Sequence, residues 1–342
     1  MPSFARLFAV LAGLATLALS GASPTAIEKR DVHIAVGGKS GLYYLPLTIA
    51  EKLGYFEAEG LRVRISDFAG GSAALRAVVG GSADVVTGAY EHTIALQGKK
   101  QNFQAFVLLG RLPQISLGIA TPRASSFRSF RDLKGMKVGV SAPGSSTHNL
   151  VKQLLSKAGL DPNRDVSIIG VGSGAGAVAA LKSGELDAIS SVEPVMTKLE
   201  MDGAVKIVAD TRTVAGTQAV WGAQLPAACL YAPIEFVREN PGTAQALANA
   251  IVRADKWIVK ASAEDVARVV PESYLMGDRA LYMASFEKAK EAMSPDGILS
   301  EEGARATLDA LGGFDPELRR REIVLERTYT NEFAKIANDK YP

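Results

Sequence analysis

Cysteine is almost missing from this chain: its 342 residues include one, Cys229. A single thiol cannot close an intrachain disulfide, and inside the apolar run AACLYA it reads as a small buried hydrophobe. Histidine is nearly as scarce. His33, His92 and His148 lie far apart and show no metal spacing such as H-E-x-x-H. Neither sign of charge dominates, with 38 Lys and Arg against 36 Asp and Glu. A net charge of +2 supplies no basic field for nucleic acid, and no nucleic-acid motif occurs. The densest basic cluster, Arg319-Arg320-Arg321, is flanked by Glu317 and Glu322 and reads as a solvated helix face. Catalytic signatures are missing as well. GGKS at 37–40 has His33 where a Walker loop needs its first glycine, and no G-x-S-x-G elbow occurs. Ser145 and His148 are three residues apart, with nothing to nominate an orienting acid.

Long apolar runs are confined to the N-terminus. Arg6 precedes an apolar run from Leu7 to Leu19, and small residues follow at Ser20, Gly21 and Ala22. That is the layout of a secretory signal peptide, expected over residues 1–22. The run is short for a membrane span, which needs about 20 residues. With no Cys after it, no lipid anchor is expected, and with no twin-Arg before it, the chain is expected to cross the membrane unfolded. The mature protein should be soluble and exported.

What the chain does contain is a repeated plan. VHIAVGG reads as a strand, LYYLPLTIAEKLGYF as a helix closing near Gly54, LRVRISDF as a strand, SAALRAVVGG as a helix from Ser72, and ADVVTG as a strand. MKVGVS, THNLVKQLLSKAGL, VSIIGVG, AGAVAALKSG and LDAISS follow in the same order. Val36 matches Val140 at an offset of 104, and Asp84 matches Asp187 at 103. Successive βαβ units require parallel strands with right-handed crossovers, so the fold class is α/β with open, mostly parallel sheets in two similar lobes. The C-terminal third reads as a strand followed by helices, with Asn240-Pro241 starting one and Ser262-x-x-Asp265 forming a capping box.

In such sheets, ligands bind beyond the carboxyl ends of the strands, where helix N-termini present free backbone N–H groups. Here those positions are rich in Gly and Ser: GGKSG (37–41), AGGS (69–72), TGAYE (87–91), SAPGSST (141–147) and GVGSG (170–174). They nominate Gly38, Ser40, Gly71, Ser72, Ser145, Ser146, Thr147 and Gly174, whose summed helix dipoles favour a negative group. Tyr43, Tyr44, Tyr90 and Trp221 stand near these loops. Glu193, in SSVEP, stands just past a strand end, where it would meet a ligand amine or pair with Lys or Arg. GVGSGA at 170–175 fits a dinucleotide fingerprint, but its counterpart DFAGGS does not, so no cofactor is expected.

The linked motifs LGYFEAEGLRVRI, FAGGSAALRAVVGGSADV, DLKGMKVGVSAPGSST, LKSGELDA and EP resemble the substrate-binding proteins of ABC importers. The nearest branch is the nitrate, sulfonate, taurine and thiamine-precursor (NMT1-like) group. That resemblance implies a type II periplasmic binding protein with two lobes and two crossover strands, near SLGIATP and PAACLYA. Lobe I would comprise 31–118 and 228–342, and lobe II 119–227. The helix N-termini at Ser72 and at Ser145-Ser146-Thr147 would face the cleft, with Tyr43, Tyr90, Glu193 and Trp221 along its sides. It implies no enzyme but a monomeric periplasmic protein that closes on a small organic anion, a sulfonate or a carboxylate, and hands it to a membrane permease. Cys229 alone cannot make the cysteine-rich motif of the enzymatic branch that forms the thiamine pyrimidine. An exported enzyme using Glu193 or His148, a sensory binding protein and a binder of a pyrimidine precursor stay open as alternatives.

Overall fold

The computed structural model describes residues 26–342; the signal-peptide segment lies outside the described residues. Four of the five strands of the first sheet come first in the chain: β1 (Asp31–Gly37), β2 (Arg62–Phe68), β3 (Val85–Ala89) and β4 (Phe103–Leu108). The chain then crosses to a second sheet made of β5 (Ser116–Ala120), β6 (Lys137–Val140), β7 (Ser167–Gly170), β8 (Ala188–Ser191) and β9 (Val205–Asp210). It returns to complete the first sheet with β10 (Ala228–Pro233). The strand orders are β2-β1-β3-β10-β4 and β7-β6-β8-β5-β9. In each sheet the fourth strand alone runs antiparallel to both its neighbours. That strand is the one laid down just after the chain changes sheets, so the two sheets are the same design used twice.

The repeated aspartates show why the sequence pattern recurs. Asp84 Oδ2 accepts the backbone N–H of His33 at 2.9 Å, and its own N–H donates to the His33 carbonyl at 2.8 Å. Asp187 does the same to Lys137, at 2.9 Å in both directions. The remaining carboxylate oxygen pairs with a cation in each case: Lys29 at 2.7 Å and Arg123 at 2.9 Å. Each aspartate thus pins the start of one strand to the start of its neighbour, β1 to β3 in the first sheet and β6 to β8 in the second.

The helices with a bearing on the site are α1 (Leu45–Lys52), α2 (Gly71–Val79), α3 (Glu91–Gly98), α4 (Ser146–Lys157), α5 (Ala175–Lys182), α6 (Val195–Met201), α7 (Val214–Trp221), α8 (Pro241–Lys260), α9 (Arg279–Ala289), α10 (Glu301–Phe314) and α11 (Glu332–Lys340). The stretch read as one helix from Leu42 is broken. Leu42–Tyr44 form a 3-10 turn, α1 stops at Lys52, and Gly54, at φ +69°, admits a separate short turn over Tyr55–Ala58. Pro46 near the start of α1 has no N–H to give, which suits a first helical turn and not the middle of a longer helix. The capping box at Ser262 forms as its spacing predicts, with both reciprocal bonds to Asp265.

Helix α8 opens on Pro241 and lays a long apolar face, including Leu247, Ile251, Val252 and Ile258, on α1, α11 and the first sheet. Those four side chains are fully buried, each contributing about 1.5–3 kcal/mol on leaving water. The core of each lobe fixes its sheet, and the sheet fixes the loops beyond its strand ends, where the two lobes face each other.

Candidate functional site

The strand ends of both sheets point at one interface, and two helix N-termini meet there. Helix α2 begins beyond β2, and α4 begins beyond β6. Ser72, in the first turn of α2, donates its backbone N–H to the Ser145 hydroxyl at 3.0 Å across the interface. The Ser145 hydroxyl donates in turn to the Ser72 hydroxyl (3.2 Å), which donates to the Pro143 carbonyl (2.9 Å). The lobes come this close because Gly70 has no side chain: a Cβ there would stand 2.9 Å from the Ala142 Cβ and 3.0 Å from the Ser145 hydroxyl. Gly38 plays a similar part, at φ +92°, where a Cβ would fall 1.9 Å from the Ser173 hydroxyl.

Beside this contact lies a small cavity with about 30 Å³ open to a water molecule, lined by Tyr43, Tyr44, Gly71, Ser141, Ser145, Ser146, Thr147 and Ser173, with Gly37, Ile115 and Val192. No charged side chain is among them. The Tyr43 and Ser173 hydroxyls are buried without a hydrogen-bond partner among the described residues. Burial raises the pKa of Tyr43 and of Tyr44, so both phenols keep their protons. Hydroxyl groups and two helix N-termini therefore set the polarity, and their fields add toward a negative ligand. The Thr147 hydroxyl also anchors the end of β6, bonded to the Ser141 N–H at 3.0 Å and to the Ser141 hydroxyl at 2.8 Å.

Two histidines flank the helix starts. His92 of α3 sits behind Gly71, with Nδ1 3.0 Å from the Tyr231 hydroxyl and Nε2 3.4 Å from the Gly144 carbonyl of the other lobe. Burial lowers its pKa. The neutral tautomer protonated at Nε2 meets both partners: Nε2–H donates to Gly144 and the Tyr231 hydroxyl donates to Nδ1. His148 Nδ1 accepts the Gly144 N–H at 3.0 Å, and burial holds its pKa down at about 4. The Ser145 hydroxyl is bonded to Ser72, not to His148, so these residues form no nucleophile–base pair.

The other predicted site residues scatter. Tyr90 lies in the core of the first lobe, its hydroxyl 2.6 Å from Thr328 Oγ1. Its place just past β3 was readable, but the direction of its side chain was not. Glu193, 1% exposed, does not offer a free carboxylate to the cleft. Its Oε1 accepts from Arg212 at 2.5 Å and its Oε2 from the Thr197 N–H at 2.9 Å. Arg212 also holds Asp210 and Glu200; burial works against its charge, but the hydrogen bonds and charges of the three carboxylates outweigh it and raise the guanidinium pKa. What Glu193 presents to the first lobe is its carbonyl, which accepts the Leu42 N–H at 2.9 Å. Gly174 caps α5 with open space around it, and Ser40 is half-buried in the turn after β1.

Trp221 lines a second cavity between the lobes, with Glu91, Asn149, Leu225, Leu311 and Phe314. Ser146 and Ile115 line both cavities, so the two adjoin. Sequence reasoning singled out neither His92, Ser173 nor Asn149. Glu91 fell inside the loop TGAYE, but only its tyrosine was nominated.

Comparison with known proteins agrees with this architecture. Residues 25–270 match the model of the NMT1-like family. A solved protein from Bordetella bronchiseptica RB50 is 54% identical, covers 93% of this chain and 99% of its own, and superposes with a TM-score of 0.90. YtlA of Bacillus subtilis, whose name gives it a candidate binding role, is 25% identical over 264 residues, 76% of each chain. The alkanesulfonate-binding protein SsuA of Xanthomonas axonopodis pv. citri, solved with MOPS bound, shares 19% identity over 90% of this chain and 100% of its own, with a TM-score of 0.67. At that identity the likeness is one of fold: two α/β lobes of the periplasmic binding protein type.

Proposed function

This chain belongs to the NMT1-like family, and on that footing we propose that it is the periplasmic solute-binding protein of an ABC importer, taking a small organic anion between its lobes. The observation that carries this reading is the meeting of two helix N-termini, one from each lobe, at a hydroxyl-lined and uncharged cavity. In a water-poor interface, N–H and O–H donors stabilise an oxyanion, and no carboxylate lines that cavity to repel it. SsuA, with the same fold, binds alkanesulfonates, which makes a sulfonate or a carboxylate the ligand class of choice.

The jaws are the first sheet with the C-terminal helices and the second sheet with its own. With the jaws touching, the cavity has room for about one water molecule. A ligand enters when the lobes part and takes over the Ser72 and Ser145 donors from one another. Closure then follows from contacts made only with both lobes at once. The closed monomer docks on a permease, and the protein itself carries out no chemistry. Of the two groups that an enzymatic reading would use, Glu193 is taken up by Arg212 and Thr197, and His148 spends Nδ1 on the Gly144 N–H while its Nε2 is buried away from solvent.

Thermal unfolding of the mature chain with alkyl sulfonates, aromatic carboxylates, nitrate and aminopyrimidines tests the proposal. A ligand at about 100 times its Kd stabilises the native state by about 2.7 kcal/mol. The expected outcome is a raised midpoint with organic anions and little change with nitrate. No shift with any organic anion contradicts the reading.

A further inference from the structure

Glu193 was the carboxylate that sequence alone would offer to a ligand amine, and it is occupied. A different carboxylate has the right surroundings. Glu91 opens α3 and lines the second inter-lobe cavity. Its Oε1 accepts from Asn149 Nδ2 of the facing lobe at 3.1 Å, and among the described residues it has no salt bridge. The walls around it are apolar, from Leu225, Leu311 and Phe314, together with Trp221, whose indole N–H is buried without a partner. This cavity shares Ser146 with the one at the helix N-termini, so one ligand can reach both.

We infer that Glu91 is a specificity-determining residue that selects a ligand carrying a protonated amine at the end opposite its anionic group. The inference rests on the anion-binding reading and narrows it from organic anions in general to zwitterions with an apolar middle. Glu91 is half-buried beside an apolar cavity, where an ammonium supplies it with both an opposite charge and a hydrogen bond. The helix dipole at the start of α3 favours a negative charge at Glu91, and its second oxygen has no hydrogen-bond partner among the described residues. The apolar walls accept the methylenes or ring between the two ends, and the aromatic faces of Trp221 and Phe314 add attraction for a cation. The cavity has about 20 Å³ open to water when the jaws touch, so the ligand occupies it as the lobes part and reclose around it.

Calorimetric titration of the mature chain with two matched pairs tests this: 3-aminopropane-1-sulfonate against butane-1-sulfonate, and 4-(aminomethyl)benzenesulfonate against 4-ethylbenzenesulfonate. Each pair differs in an ammonium replaced by a methyl. The amine-bearing member of at least one pair is expected to bind about tenfold or more tightly, the worth of one buried hydrogen bond to a charge. Glu91→Gln keeps the shape and the acceptor for Asn149, and is expected to reduce that preference to about twofold or less. Equal binding of both members to the wild type overturns the inference and leaves the anion reading standing. So does a preference that survives in Glu91→Gln. No binding of any of the four compounds overturns the anion reading and this inference with it. The wild-type comparison decides alone if the variant fails to fold.

Discussion

At the residue scale, the side chains that sequence placed well are those whose role is local. Gly71, Ser72, Ser145, Ser146 and Thr147 had only to stand at a helix start beyond a strand end, and they do. Tyr90, Glu193 and Trp221 depended on which way a side chain turns, and that is decided by tertiary neighbours such as Thr328 and Arg212. One residue invisible to pattern reading has a measurable consequence. Asp255 in α8 is fully buried, and neither carboxylate oxygen has a partner among the described residues. Burial, with the Asp296 charge nearby, raises its pKa well above the usual range for an aspartate. A raised folded-state pKa means no penalty at low pH, where Asp255 is protonated folded or unfolded. The penalty grows as pH rises from the unfolded pKa toward the folded one. Asp255→Asn should therefore stabilise the protein at pH 7, on the order of 1–3 kcal/mol, and the gain should fade as melts are repeated toward pH 4. An equal effect of the substitution at both pH values would show that the carboxyl is not the source.

At the element scale, the echo between residues 68–88 and 171–191 was legible because both copies obey the same geometry. Asp84 and Asp187 are side-chain staples between neighbouring strands, β1 with β3 and β6 with β8, and each needs the short turn before β3 or β8 to reach its target. The equivalence makes a paired prediction. Asp84→Ala and Asp187→Ala should each cost about 1–2 kcal/mol in denaturant melts, since each strips a strand N–H of its acceptor and a cation of its partner. Costs that differ by more than about twofold would mean that the two staples are not doing equivalent jobs. What the pattern could not give was the break after Lys52 or the turn of Leu42–Tyr44. The local apolar run there fits one helix, and the chain departs from it so that the Leu42 N–H can reach the Glu193 carbonyl of the other lobe.

At the scale of the whole molecule, one sheet design used twice gives two similar surfaces of strand ends and helix starts, and facing them produces the cleft. The lobes also touch away from the ligand region. Lys288 of α9 reaches Glu200 of α6 at 3.0 Å, and Ser156 of α4 donates to the Gly313 carbonyl of α10 at 2.9 Å. These are modest contacts at the rim, of the kind worth at most about 1 kcal/mol each. The central claim is that an anion belongs where α2 and α4 meet. The most direct measurement is calorimetric titration of Ser145→Asp, beside the wild type, with the organic anion that shifts the wild-type melt most. Ser145 stands at the N-cap of α4 without capping it through its hydroxyl, and aspartate, a residue favoured at that position, places a resident negative charge between both helix starts. The account predicts a folded protein that has lost anion affinity by about a hundredfold or more, from like-charge exclusion between the two helix starts. A well-folded Ser145→Asp protein that binds the anion as tightly as the wild type would contradict it.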